Sequence, residues 1–267
     1  MESLYFENKL KTKIGYIFFY LGIFLLPSAL SISIILLVIS SVIGFFIQEK
    51  KYLQDNWNIP FFGATILLIL SSLFNSYFYN DLENTSKLMD INSHLGLFNW
   101  VPFTLCFFGF QAYLKSKNQR KTCSLLFLIG TSPVIISIIA QTFLGLHGPF
   151  ETLYGLIIWY QKPINGITSI TGLFSNPNYL GAWLVIVWPF CLASFLRKDI
   201  GKAKKITSLI FIIFIASSII FCASRAAWLA FIVSIPLMLG LKKAKWFVPI
   251  FIFIATVLFL IFFPILG

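Results

Sequence analysis

Two short stretches of this sequence hold polar residues whose types and spacing suit the binding of an anion. Phe221–Trp228 reads FCASRAAW, and its Arg225 is the only charged residue between Ile206 and Leu241. Gly172–Asn178 reads GLFSNPN and stands directly before another apolar run. There, Asn176 suits a helix N-cap, and Pro177 suits the first helical position, where a missing N–H costs nothing. Asn178 then presents an amide from the first turn. Ser224 suits an N-cap in the same way, with Arg225 following it. A helix N-terminus offers unpaired N–H groups and a partial positive charge. Two such ends with a guanidinium between them make an anion site, and phosphate is the natural guest. Arginine serves better than lysine, because its fork binds two phosphate oxygens and it stays charged when partly buried. Position alone also allows a plainer role for Arg225, a snorkelling anchor at a helix end.

The elements that must position these groups are membrane spans. The chain has 267 residues, of which 58% are hydrophobic and 11% charged, against about 25% charged residues in a soluble domain. The apolar runs are Ile14–Leu26, Leu30–Ile47, Ile59–Ser76, Leu97–Leu114, Cys123–Phe143, Tyr179–Leu196, Ile206–Ala223, Ala226–Leu241 and Trp246–Phe263. Each is near the length a bilayer requires. The fold class expected is therefore all-α, a polytopic transmembrane bundle of about nine spans forming one membrane domain over residues 1–267. Ile14–Ile47 carries no charge; as one helix it would be about 50 Å long, against an apolar core of about 30 Å. Pro27–Ser28 is the natural break. The polar start, Met1–Lys13, is not followed by a cleavage site of small residues and does not read as a signal peptide.

Charge fixes an expected orientation. With the N-terminus in the cytoplasm, seventeen of the 20 Lys and Arg fall in inner segments, and only Lys87, Lys162 and Arg225 fall outside. Acidic residues are not skewed. This is the positive-inside pattern. The net charge of +11 is thus a topology signal, and nucleic acid is not an expected partner. Membrane lipids are. The location expected is a membrane, crossed many times.

Two outer loops are then sizeable, Tyr77–Gly96 and Leu144–Asn178. The second, residues 144–178, contains the apolar patch Leu153–Tyr160 (LYGLIIWY), too short to span and read as an interfacial or re-entrant helix. His94 and His147, the two histidines, fall one in each loop. Either is a candidate base, although a lone loop histidine is more often merely solvated. Cys106, Cys123, Cys191 and Cys222 lie in or beside apolar runs without metal-ligand spacing and read as small apolar residues. No motif for a metal or other cofactor stands in the sequence: there is no phosphate-binding Gly-rich loop, no paired acidic motif, no Cys/His cluster and no Ser/His/Asp constellation. The spans carry no carboxylate, which argues against a proton-driven carrier.

Gly172–Pro189 (GLFSNPNYLGAWLVIVWP), followed some 35 residues on by Ala223–Phe231 (ASRAAWLAF), resembles the O-antigen ligase and polymerase superfamily. Leu95–Leu114 (LGLFNWVPFTLCFFGFQAYL) is similar to a branch of it once proposed as bicarbonate transporters. The resemblance implies a protein that moves glycan from a polyprenyl-pyrophosphate carrier to a glycan or lipid acceptor at the periplasmic face without a metal. It implies that Asn176, Pro177 and Asn178 form the Asn-Pro-Asn element at a helix start. Ser224 and Arg225 match the Ser-Arg pair at an outer turn, where Arg225 would hold the donor pyrophosphate and stabilise it as a leaving group. Two features depart from that pattern. Ile167–Thr171 lacks the arginine that many relatives carry, and relatives follow their ninth span with a large periplasmic loop bearing a catalytic histidine, whereas this sequence stops at Gly267. A transferase would then imply a shortened product or a complementing membrane subunit. The other expectations are a non-catalytic subunit and a transporter of bicarbonate or another small anion.

Overall fold

The computed structural model describes residues 2–48, 51–79, 86–164, 169–197, 200–240 and Thr256. The chain is mostly helical. Its elements are α1 (Glu2–Leu25), α2 (Leu30–Ile47), a short 3-10 turn (Tyr52–Gln54), α3 (Asn58–Tyr79), α4 (Ser86–Gln111), α5 (Lys117–Gly130), α6 (Ser132–Phe143), β1 (Phe150–Thr152), β2 (Ile157–Trp159), α7 (Pro177–Leu196), α8 (Lys202–Phe221) and α9 (Arg225–Leu239). Four stretches among the described residues are long and apolar enough to cross a membrane: Leu30–Ile47, Lys117–Phe143, Pro177–Leu196 and Lys202–Phe221. Thr12–Leu25, Asn58–Phe74 and Arg225–Leu239 are apolar but shorter. Of the expected last span, Trp246–Phe263, all but Thr256 lies outside the described residues.

The chain divides into two compact units, residues 1–22 with 33–123 and residues 23–32 with 124–267. The break between α1 and α2 falls at Leu26–Ser28, as the proline there requires. In the first unit, α2 meets its neighbours through small residues. Its buried positions are Ser33, Ser40, Ser41 and Gly44. A methyl group on Gly44 would run into Gly109 O of α4, and one on Gly109 into Ser41 O. Small residues at a crossing let backbones approach where lipid supplies no hydrophobic drive. Tyr113, fully buried, donates to Ser40 O at 2.6 Å, and Phe19 stacks on its ring at 5.1 Å.

The second unit is built on α7. Leu180, Leu184, Val187 and Cys191 recur at helical spacing and are all buried. Ile215 and Ile219 of α8, Cys222 just after it and Ala227 of α9 close the same core. Gly181 packs beside Ala227 and Cys222, the Trp188 and Phe231 rings meet at 4.6 Å, and Cys191 Sγ reaches Ser208 O at 3.8 Å. Read in order along each helix, these contacts make α7 and α9 parallel and α8 antiparallel to both.

Three expectations need correction. Leu153–Tyr160 is not a helix. It contributes the turn and second strand of a hairpin that pairs Phe150 with Trp159 and Thr152 with Ile157. Leu153, Tyr154 and Gly155 take positive φ at the turn, and the β-branched and aromatic run Ile157–Trp159 favours an extended strand. The run Cys123–Phe143 lies within one candidate span, Lys117–Phe143, but not as one unbroken helix: α5 and α6 are parted at Thr131, because Pro133 at the start of α6 has no N–H to continue the ladder. Tyr77–Gly96 is not a loop throughout: α3 reaches Tyr79 and α4 begins at Ser86, so His94 lies within a helix.

Candidate functional site

Asn176 has extended backbone, φ −145° and ψ 138°, and its Oδ1 accepts from Asn178 N at 2.8 Å. Pro177 opens α7. The Asn-Pro-Asn stretch is therefore a capped helix start, with Asn176 and Asn178 both exposed. Ser224 caps α9 in the same manner, its Oγ accepting from Ala227 N at 3.4 Å. Ser224 is buried, so its hydroxyl serves the helix, while Arg225 on the next position is exposed.

The turn that carries Ser224 is very tight. Only Cys222, Ala223 and Ser224 separate α8 from α9, and Ala223 takes a left-handed φ of 52°, a conformation a non-glycine residue holds only when its surroundings impose it. They do so by satisfying the carbonyls that end α8. Trp228 Nε1 donates to Ile219 O at 2.9 Å. Ala223 N donates to Ile220 O at 3.2 Å, and Ile170 N to Phe221 O at 3.3 Å. With its carbonyls paired, α8 can stop in one step.

Gly181, one turn into α7, brings the two helix starts together. A methyl group there would stand 2.7 Å from Ala227 Cβ, 3.1 Å from Cys222 Sγ and 3.3 Å from Ser224 Cβ. Since α7 and α9 run parallel, their N-terminal partial charges share one end of the second unit, and Arg225 adds a full charge there. The residues expected at the site, Asn176, Pro177, Asn178, Ser224 and Arg225, thus belong to one end of one unit. The histidines do not join them in that way. His147 is exposed ahead of β1, with Nδ1 3.1 Å from Gly145 O. His94 belongs to α4 of the other unit.

The loop that leads into Asn176 is held by residues the sequence reading passed over. Gln141, buried at the end of α6, donates to Lys162 O at 2.6 Å and Thr171 Oγ1 at 3.1 Å. Its Oε1 accepts from Thr171 N at 3.1 Å and Gly172 N at 3.0 Å. Ser137 donates to Gln161 Oε1, and Gln161 Nε2 donates to Leu146 O at 2.7 Å. Two buried amides therefore stitch the hairpin and the GLFSNPN arm to α6. Their signal was available: Gln141 is an amide inside an apolar run, where a polar group needs partners. Among the described residues, no three His, Cys, Asp or Glu side chains cluster as metal ligands would.

No family model matches the chain, and neither the curated proteins nor the solved structures contain a match.

Proposed function

We propose that this chain is a multispan protein of a bacterial inner membrane that takes part in transferring glycan from a polyprenyl-pyrophosphate donor during cell-surface polysaccharide assembly. In this reading the chain crosses the bilayer about nine times from a cytoplasmic N-terminus, as the Lys and Arg distribution favours. The end of the second unit that carries Asn176 and Arg225 faces the periplasm. The observation that carries the reading is the shared end of α7 and α9, joined through Gly181 and Ala227, with Arg225 exposed beside two capped helix starts.

An acceptor hydroxyl oxygen attacks the anomeric carbon of the donor sugar. The bond from that carbon to the pyrophosphate oxygen breaks, and its electron pair leaves with the polyprenyl pyrophosphate. Arg225 and the N–H groups of the two first turns stabilise the charge that grows on this leaving group. The acceptor hydroxyl must lose a proton, and His147, in the loop of residues 144–178 that ends at the Asn-Pro-Asn stretch, is the base this reading assigns to it. The same cationic end would also hold bicarbonate or another small anion, which is the transporter reading.

The test is a gel profile of envelope polysaccharide from a strain lacking this chain, one carrying Arg225→Gln and one carrying Arg225→Lys. Glycan transfer requires a ladder lost or shortened in the first two and weakened in the third. A normal ladder in all three, with reduced anion uptake, would replace this reading by the transporter.

A further inference from the structure

One end of the first unit holds a cavity of about 800 Å³, within the size range of ligand sites. It begins where α2, a helix long and apolar enough to cross a membrane, gives way at Gln48. Phe107, Phe110 and Leu114 form its apolar wall. Asp55, Lys115 and Arg120 also line it, so both signs of charge meet one space. Trp57 lines it too and is 76% exposed. Tryptophan beside Lys and Arg is the pattern of the level where hydrocarbon meets headgroups.

The frame around the cavity is fixed. Gln111 Nε2 donates to Asn58 Oδ1 at 3.0 Å, and fully buried Asn58 donates to Tyr52 O at 2.8 Å. Gln48 Nε2 donates to Phe108 O at 3.2 Å. Arg120 Nη1 donates to Leu114 O and Lys115 O, each at 2.8 Å, which orients the guanidinium against the end of α4 and leaves its other N–H groups for further partners. Asp55 Oδ1 accepts from Trp57 N at 3.0 Å, and a carboxylate has a second oxygen to offer.

We propose that this cavity binds an aminophospholipid of the phosphatidylethanolamine type. Lys115 and Arg120 take the phosphate, Asp55 takes the primary ammonium, and Phe107 and Phe110 carry the start of the acyl chains. A headgroup that is only anionic would meet the Asp55 carboxylate without a cation to offer it. A quaternary ammonium has no N–H to donate to it. The carboxylate is therefore the selecting group. The inference does not rest on the glycan-transfer reading.

The full chain in mild detergent would be incubated with phosphatidylethanolamine, phosphatidylcholine or phosphatidylglycerol, and bound lipid read by native mass spectrometry. Phosphatidylethanolamine is expected to be retained several-fold over the other two. Lys115→Gln should weaken retention of all three by about fivefold. Asp55→Asn keeps an acceptor for Trp57 N, so the turn survives, and should abolish the preference for phosphatidylethanolamine over phosphatidylglycerol. Glycerophosphoethanolamine, the same headgroup without acyl chains, should compete poorly. Equal retention of the three lipids, an unchanged order in Asp55→Asn, unchanged retention in Lys115→Gln, or full competition by the chain-free headgroup would each overturn the proposal.

Discussion

Gly181 on α7 and Ala227 on α9 lie so close that a methyl group added to the glycine would stand 2.7 Å from the alanine Cβ. Neither neighbour can swing away, since Ala227 has no further side chain and Cys222, whose Sγ would stand 3.1 Å from that methyl group, is buried. Gly181→Ala must therefore push the helices apart, at a cost of about 1–3 kcal/mol. The check is a lower thermal midpoint of the purified protein in detergent. Gly63→Ala is the control. Gly63 sits in α3 with nothing within 4 Å, and the change should stabilise by about 0.5–1 kcal/mol because it removes backbone freedom from the unfolded chain.

Asn176 separates helix capping from charge. Asn176→Ala removes the acceptor for Asn178 N and should cost about 1 kcal/mol. Asn176→Asp keeps the cap, because a carboxylate accepts the same bond, and should leave the stability within about 0.5 kcal/mol of the native protein. It also places a negative charge at the end where Arg225 lies. Binding of inorganic pyrophosphate, measured by calorimetry, should fall in Asn176→Asp and change little in Asn176→Ala. Equal loss in both would remove the electrostatic account of this end.

Gln141 carries the loop. Gln141→Leu would strip partners from Thr171 N, Gly172 N and Lys162 O. Each buried group left unpaired costs about 1–3 kcal/mol, and water reaching a loosened loop would limit the total to about 3 kcal/mol. Limited proteolysis should then cut between residues 144 and 176 faster than in the native protein, while α7 and α8 stay intact. Gln141→Glu should fall between the two, since it keeps the acceptor for both N–H groups but loses the donor to Lys162 O and Thr171 Oγ1.

Both helix starts at the candidate site could be read from the sequence, because the rules that place them are local. Asn176 and Ser224 cap with their own side chains, and Pro177 has its φ set by its own ring. The break near Pro27 follows from the same local chemistry. What could not be read is whatever depends on a distant partner. Gly181 looks like any glycine in an apolar helix until Ala227 stands against it. LYGLIIWY hides the hairpin because it has no alternation of polar and apolar residues, and hydrophobicity alone does not separate a short strand from a short helix. The positive φ at Leu153 and Tyr154, which makes the turn, is not a preference those residues carry. His94 reads as a loop residue because Ser86–His94 is too polar to span, yet the stretch continues the helix of the apolar run that follows it.

The bond from Ile170 N to Phe221 O has a consequence in time rather than in space. Ile170 leaves the ribosome long before Phe221 does. The arm that leads into Asn176 therefore cannot take its final form when it is made. It must wait until α8 is complete, and Gly181 must wait longer still, for Ala227. Contacts between positions so far apart in the chain form late and close a large loop when they do. A nascent chain halted before residue 221 would already hold the Gln141 bonds to Thr171 and Gly172 but not the shared end of α7 and α9. Order in this region is thus added in two instalments, the loop against α6 first and the paired helix starts last.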